Sequence, residues 1–295
     1  MTQRKPYSNI NRVFEKKPKS FGQILRSSDW KLTLLTYLVA CLFAFPIFWI
    51  FLMAFKTSVD AFTLPPKLIF EPVLENFERV FQNSYFISNY RNSFILAFSS
   101  TLLSLLLGVP AAYAITRFQF RGKRLLSFWI LVTRMAPASA MVVAYFMILN
   151  HLNLIDTLPG LIVVYMSFNI GYIIWMVRGF ILSVPIECEE ASVIDGCTRF
   201  QSFIKITLPL CVPGIVSVGI QAFIFAWNEF LYALILTRTN WKTAPIAVLS
   251  YITSEGIAWG ELAAASMLIV LPVLVLALCV QKYIVSGLTM GVGKD

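Results

Sequence analysis

Long stretches without charged residues dominate the chain and predict helices that cross a membrane. Five uncharged stretches of 20 to 25 residues are rich in large apolar side chains, and a sixth apolar segment contains a single charge, Arg134. At 1.5 Å per residue, each can cross a hydrocarbon core of ~30 Å as a helix. The pattern therefore predicts an all-α membrane protein with six transmembrane helices. The predicted spans are residues 32–55, 92–116, 125–149, 158–178, 211–236 and 262–281.

The composition agrees with this pattern and excludes an ordinary soluble enzyme. Of the 295 residues, 58% are hydrophobic and 13% are charged, and the mean hydropathy is +0.75. Globular domains contain roughly a quarter charged residues. The net charge of +9 does not indicate nucleic acid, because in so apolar a chain the placement of the cations matters more than their sum. The five cysteines contain no CxxC pair, which argues against a disulfide framework and against a zinc site.

The cations are distributed unevenly between the two sides of the predicted spans. Eight Lys and Arg lie in the first 31 residues, four lie in the loop 116–124, and five others belong to the same side. The opposite side carries six. Because Lys and Arg accumulate in cytoplasmic loops, both termini are predicted to be cytoplasmic. Residues 1–30 then form a basic cytoplasmic tail close to membrane lipid, residues 31–286 form the six-helix domain, and residues 287–295 form a cytoplasmic C-terminal tail.

The chain shows no residues arranged for catalysis or for holding a metal or cofactor. Its single histidine, His151, lies at a predicted helix end beside two asparagines. The glycine-containing tail 287–294 differs from a phosphate-binding loop, since position 288 is Leu and the residue after Lys294 is Asp. An enzyme is therefore not expected, and any ATP hydrolysis belongs to another polypeptide.

The loop between the fourth and fifth predicted spans, residues 183–209, reads as two short helices joined by a turn. Pro185 suits a first helical position, and Gly196 suits a left-handed cap at the end of that helix. Thr198 and Gln201 have the spacing of a capping box for the second helix. The polar face is acidic, which suits docking on a basic protein better than docking on anionic lipid. An amphipathic hairpin on the membrane surface remains the alternative.

The same loop resembles the EAA motif of binding-protein-dependent ABC importer permeases. That motif is Glu-Ala-Ala, three residues, Gly, nine residues, and Ile-x-Leu-Pro. The corresponding residues here are 190–192, Gly196 and 206–209, and every gap matches. Ser192 in place of the second alanine is the one departure. Residues 108–123 resemble the sugar-importing branch of these permeases, and residues 227–233 and 259–291 resemble its maltose-type, MalG-like subgroup.

The resemblance implies a type I ABC importer permease fold in the bacterial cytoplasmic (inner) membrane. It implies a permease subunit that moves a carbohydrate or polyol by alternating access, driven by ATP. The implied partners are a second homologous permease, a dimer of a cytoplasmic ABC ATPase and an extracytoplasmic solute-binding protein. In such permeases the loop 183–209 docks in a cleft of the ATPase, and an external loop faces the solute-binding protein. The implied ATPase-coupling residues are Glu189, Glu190, Ala191, Ser192, Asp195, Gly196, Ile206, Leu208 and Pro209, and the implied binding-protein residues are Trp241, Pro245 and Tyr251.

Three polar residues inside the predicted spans are the candidates for the solute pathway: Arg134, Asn228 and Glu229. A charge within the bilayer is expected to face the bundle interior or water. These side chains either line a pathway or serve as hydrogen-bond contacts between helices, and the sequence leaves both roles open. An ion-coupled secondary transporter is the rival function. It requires intramembrane carboxylates and inverted repeats, and among the carboxylates only Glu229 qualifies.

Overall fold

The computed structural model describes residues 30–254 and 256–290, with side chains in the last helix described up to Cys279. Most of the predicted basic tail 1–30 and residues 291–295 of the predicted C-terminal tail lie outside the described residues. The chain divides into two compact units, Met1–Leu52 and Met53–Asp295.

The described residues are mostly helical, with one short two-stranded sheet in which Ile252 pairs with Ile257. The α-helices, in chain order, are α1 Trp30–Ala54, α2 Ser58–Phe62, α3 Glu75–Gln82, α4 Ser84–Arg117, α5 Lys123–Met135, α6 Ala138–His151, α7 Leu158–Ser183, α8 Ile186–Ile194, α9 Arg199–Ser202, α10 Leu208–Trp227, α11 Leu231–Leu236, α12 Ala244–Ala247 and α13 Trp259–Met290. The remaining elements are a π-helix Phe203–Thr207, a 3₁₀-helix Val248–Tyr251, and the strands β1 Ile252–Thr253 and β2 Gly256–Ile257.

Six parts of the described chain have the length and apolarity of a membrane span. Five are single helices or continuous helical segments: α1, α4, α7, Arg199–Trp227 and Trp259–Cys279. The sixth consists of α5 and α6, which meet at an angle of 100°. The break falls at Pro137, whose ring and missing N–H interrupt a helix. The all-α membrane fold is thus confirmed, with five spans, or six if α5 and α6 together form one. The cytoplasmic position of the termini remains a prediction.

Two helix bounds differ from the predicted spans for identifiable reasons. α4 begins at Ser84 rather than near residue 92, because the Asn83 side chain caps it by accepting a hydrogen bond from Phe86 N. A span defined by the absence of charge cannot include Arg91, although Arg91 lies within the helix. The predicted span 211–236 is interrupted, since α10 ends at Trp227 and α11 begins at Leu231.

The apolar core of the unit Met53–Asp295 consists of two clusters, one toward each end of α4 and α7. One contains Phe86, Tyr165 and Trp227, and the other contains Ile173 and Phe203. α4 and α7 pack closely where Gly108 faces Ile173, since a Cβ at position 108 would lie 2.8 Å from Ile173 Cγ2. This pair of helices supports the loop 183–209.

Candidate functional site

The loop between α7 and α10 has the local structure that its sequence predicts. Gly196 has φ of 90°, the left-handed conformation that ends α8. The Thr198 side chain accepts a hydrogen bond from Gln201 N, and the Gln201 side chain accepts one from Thr198 N, which confirms the capping box. Pro185 lies at the N-cap of α8, one position earlier than predicted. Two helices therefore form a capped pair at one end of the spans.

The Glu189 carboxylate is buried inside this pair and is the centre of a hydrogen-bond network. Oε1 accepts hydrogen bonds from Arg117 Nε at 2.8 Å and from Thr207 Oγ1 at 2.9 Å. Oε2 accepts one from Tyr113 OH at 3.0 Å. Burying a carboxylate is unfavourable unless it is paired and hydrogen-bonded, and both conditions are met.

Arg117 extends the network to the end of α7. Its NH2 group donates to Ile181 O at 3.0 Å and to Val184 O at 2.7 Å. These two carbonyls lie near the C-terminus of α7, where a cation is also favoured by the helix dipole. One guanidinium thus joins three parts of the chain: the end of α4, the end of α7 and helix α8.

The one departure from the family motif, Ser192, is accommodated by a second buried contact. Ser192 Oγ donates to Glu189 O at 2.7 Å and lies 2.7 Å from Ser202 Oγ. The buried hydroxyl is therefore satisfied, and it links α8 to α9. The π-helix follows directly, at a position where Pro209 has no N–H to donate to an α-helical partner.

The predicted coupling residues consequently divide into an inner and an outer set. Glu189 and Ser192 are buried, whereas Glu190, Ala191, Asp195 and Gly196 are exposed. Two large apolar side chains are exposed on the same loop, Ile194 at 86% and Phe200 at 70%. Ile206 and Leu208 are half-buried, and Pro209 is exposed. The outer surface of the loop therefore combines acidic and apolar groups.

Arg134 and Glu229 line one cavity of about 300 Å³, beside the break between α5 and α6. Tyr145, Phe168 and Tyr232 form aromatic walls of this cavity. The rings of Phe168 and Tyr232 are stacked with centroids 5.9 Å apart. Asn228, at the end of α10, is exposed and is not one of the described residues that line the cavity.

The two charges in this cavity have separate partners. The Glu229 carboxylate accepts hydrogen bonds from Tyr165 OH at 2.9 Å and from the N–H groups of Tyr232 and Ala233 at 2.8 and 3.0 Å. It therefore caps the first turn of α11. The Arg134 guanidinium lies 5.1 Å from the ring centroids of Tyr172 and Phe225. Within the described part of the chain the two charges form no ion pair with each other.

At the end of α7 opposite to the loop 183–209, Asp156 holds the loop that follows α11. Its Oδ2 accepts hydrogen bonds from Thr239 N at 3.0 Å and Asn240 N at 2.9 Å, and its Oδ1 accepts one from Trp241 N at 3.0 Å. Burial on its own raises the pKa of the Asp156 carboxyl, but these N–H groups, with that of Arg238, lower the pKa to about 2. The carboxylate is therefore ionised at neutral pH and fixes the loop.

The three residues predicted to contact the solute-binding protein differ in their exposure. Trp241 and Pro245 are half-buried, and Tyr251 is buried, with its OH 3.4 Å from Asn83 Nδ2. Tyr251 thus belongs to the support of this loop. Leu249 and Ile252, next to it, are exposed.

Sequence reasoning missed the residues that hold these segments in place. In the sequence, Arg117 is one of the four cations of the loop 116–124, and Asp156 is a single charge at the edge of an uncharged stretch. Tyr113 and Thr207 carried no signal of their own. For Arg117 a signal existed: it is a cation at the end of a predicted span, on the same predicted side as the motif, and near the motif in space if the two spans are neighbours.

Five or six membrane spans and a buried ion pair beneath an exposed loop characterise a multi-pass membrane protein. A family profile described as "Binding-protein-dependent transport system inner membrane component" matches residues 104–290. The chain belongs to this family, whose members are permease subunits and not enzymes.

Individual relatives agree with the family. A probable ABC transporter permease protein, y4oR, from Sinorhizobium fredii is 38% identical, over 88% of this chain and 93% of the relative. The trehalose transport system permease protein SugB from Mycobacterium tuberculosis is 36% identical, over 84% of this chain and 92% of the relative.

The fold also matches a solved transporter. A chain of a bacterial ABC transporter involved in the import of the acidic polysaccharide alginate superposes with a TM-score of 0.74, at 22% identity. The match covers 90% of this chain and 99% of that one. The described fold is therefore that of an ABC importer permease.

Proposed function

We propose that this protein is the permease subunit of an ATP-driven importer that moves a carbohydrate or polyol across the bacterial inner membrane by alternating access. The observation that carries the proposal is the anchored loop 183–209. Its inner face is fixed to α4 and α7 by Glu189 and Arg117, and its outer face presents Glu190 beside exposed apolar side chains. Such a loop can transmit force from a protein docked on it to the spans.

The docked protein in this proposal is a dimer of a cytoplasmic ABC ATPase, a separate polypeptide that hydrolyses ATP. Glu190 and Asp195 suit contact with basic groups in a cleft, while Ile194 and Phe200 supply apolar area. Glu189 and Ser192 act indirectly, because they are buried and hold α8 in position. Ile206, Leu208 and Pro209 connect the loop to α10.

The cavity at the break between α5 and α6 is the proposed part of the solute pathway. Its aromatic walls suit the faces of sugar rings, and its polar groups suit hydroxyls. Arg134 and Glu229 line the cavity directly. Asn228 lies outside the cavity, and its proposed contribution to the pathway is at the end of α10. A second, homologous permease completes the pathway on the open side.

The loop after α11 is the proposed contact for an extracytoplasmic solute-binding protein. Asp156 preorganises it, which reduces the entropy that is lost on docking. Trp241 and Pro245 are partly accessible there, and Tyr251 supports the loop from inside.

Uptake into membrane vesicles tests the function. We expect uptake of a labelled sugar to require internal ATP, the ATPase and the binding protein, and to persist when ion gradients are collapsed. Uptake that follows an ion gradient without ATP supports the secondary transporter instead. The sugar is identified by a thermal-shift screen of sugars and polyols against the cognate binding protein.

A further inference from the structure

A large basic cavity lies apart from the proposed pathway and from the loop 183–209, called the coupling loop below for its proposed role. It opens between the connection after α4, the first turns of α5, and α7, and its volume is about 880 Å³. Three cations line it, Lys123, Arg124 and Arg178, together with the aromatic rings of Phe120 and Phe128. The functions assigned above use none of these residues.

The three cations have no acidic partner among the described residues. In the part of the chain that the structure describes, none of them forms an ion pair. Lys123 Nζ donates to Phe118 O at 3.0 Å. Arg178 Nε is buried without an acceptor, and its guanidinium lies 5.7 Å from the Trp175 ring centroid. A buried donor without an acceptor is costly, so an anionic acceptor in the cavity stabilises this arrangement.

The start of α5 adds a further positive contribution. This 13-residue helix begins at Lys123, after Gly122, which has φ of 86° and no side chain to cap the helix. Its first N–H groups therefore lack a side-chain acceptor, and the dipole is positive at this end. The uncapped N-terminus of α5 and the three cations both favour an anion with several oxygens.

The surroundings indicate that this anion is attached to an apolar molecule. Phe128 and Trp129 on α5 are each 57% exposed, and Trp175 on α7 is 45% exposed. Aromatic side chains accumulate where a membrane meets water. The cavity lies at the same end of the spans as the coupling loop, since Arg117 at the end of α4 contacts Glu189 in α8.

We propose that this cavity binds the phosphate headgroup of an anionic phospholipid, with its acyl chains along the exposed face of α5. Lys123, Arg124 and Arg178 contact the phosphate oxygens. Basic pockets between membrane helices recognise anionic headgroups in this way. The site would make the transporter sensitive to the lipid composition of the leaflet at its coupling end.

Lipid retention by the purified full transporter, in detergent with all its subunits, tests the proposal. Native mass spectrometry counts the molecules bound during titration with phosphatidylglycerol or phosphatidylcholine. We expect selective retention of phosphatidylglycerol, weakened about fivefold for each cation removed, in Arg178→Gln and in the double variant Lys123→Gln/Arg124→Gln. Arg121→Gln is the matched control, because Arg121 is an exposed cation in the same connection that does not line the cavity.

Four results would overturn the proposal. Equal loss in Arg121→Gln assigns the lipid preference to the general surface charge. Displacement of the lipid by millimolar inorganic phosphate assigns the cavity to a soluble anion. Equal retention of phosphatidylcholine, whose headgroup has the same phosphate but no net charge, excludes recognition of an anionic lipid. The absence of retained lipid in the wild type excludes a lipid site in this cavity. If Arg178→Gln does not assemble, lipid retention by the double variant Lys123→Gln/Arg124→Gln, at two more accessible positions, tests the proposal.

Discussion

Arg117 and Glu189 form a buried ion pair between residues that are 72 positions apart in the sequence, with Nε 2.8 Å from Oε1. The accessible fractions of the two side chains are 11% and 1%. The pair joins a membrane-spanning helix, α4, to a helix of the coupling loop, α8. A displacement of α8 is therefore transmitted to α4 without any intervening flexible segment.

Removing one partner of this pair should destabilise the protein far more than removing the neighbouring acid. Glu189→Ala leaves Arg117 buried beside carbonyl groups and Tyr113, and losing one partner of a buried pair costs about 3–5 kcal/mol. Glu190→Ala alters an exposed residue, for which changes stay within about 0.5 kcal/mol. Thermal unfolding of the permease purified without the ATPase measures both, because loss of ATPase binding then does not contribute. Equal unfolding temperatures for the two variants would show that the buried pair does not support the loop.

Glu190→Ala should instead weaken the association with the ATPase while leaving the fold intact. Truncating one partner of a desolvated charge pair at an interface costs about 2–5 kcal/mol. Co-purification of the ATPase and uptake into vesicles measure the loss. Glu187→Ala is the matched control, since Glu187 is an exposed acid in the first turn of the same helix. A Glu190→Ala transporter that co-purifies and transports normally contradicts the coupling role.

Local features of the coupling loop were predictable because they depend on neighbouring residues. The Thr198–Gln201 capping box and the left-handed Gly196 follow from residue type and spacing alone. Glu189 and Glu190 cannot be distinguished in that way. Which of the two adjacent carboxylates faces inward depends on how α8 packs against α4, and that packing is set by residues 72 positions away.

The spans were predictable in number but less so in extent. Charge-free stretches locate the hydrocarbon-facing parts of helices, since charge there is costly. They do not locate the helix ends, which depend on caps such as Asn83. They also miss the interruption after Trp227, where the Glu229 side chain accepts backbone hydrogen bonds and starts a new helix, α11.

The loop after α11, which Asp156 holds, should keep its conformation down to low pH and lose it when Asp156 is protonated. The pKa of Asp156 is about 2 in the folded protein, below the ordinary value of 3.8. A lowered pKa contributes stability that is fully present above the ordinary value and is lost as the pH falls toward 2. Trp241 fluorescence, in a variant with its other tryptophans replaced, should change between about pH 4 and pH 2.

Asp156→Asn is the control for that titration. The amide keeps one acceptor oxygen but cannot ionise, so the Trp241 signal should lose its pH dependence in this window. At neutral pH the same variant should bind the solute-binding protein more weakly, because the loop is less well ordered. An unchanged acid transition in Asp156→Asn would assign the titration to another group.

Close packing of α5 on α7 makes Gly171 sensitive to a single methyl group. A Cβ at position 171 would lie 2.7 Å from Thr133 Oγ1 and 3.1 Å from Ile130 O. Gly171→Ala should therefore separate the two helices at a cost of about 1–3 kcal/mol. Gly179→Ala on the same helix is the control, because its Cβ has no neighbour within 4 Å. Thermal unfolding in which both variants lose the same stability would exclude close packing as the cause.

Residues 134 and 229 should become accessible to water from one side of the membrane at a time if they line the pathway. Cysteines are placed singly at these positions in a background lacking the five native cysteines, and they are labelled with a membrane-impermeant thiol reagent. We expect labelling from outside in one nucleotide state of the ATPase and from inside in another, because alternating access opens the cavity beside Pro137 to each side in turn. Asn169→Cys is the buried control, with an accessible fraction of 0%, and Lys67→Cys, outside the spans, is the exposed control. Cysteines at 134 and 229 that stay as unreactive as the one at 169 in every nucleotide state would exclude them from the pathway and assign them to helix packing.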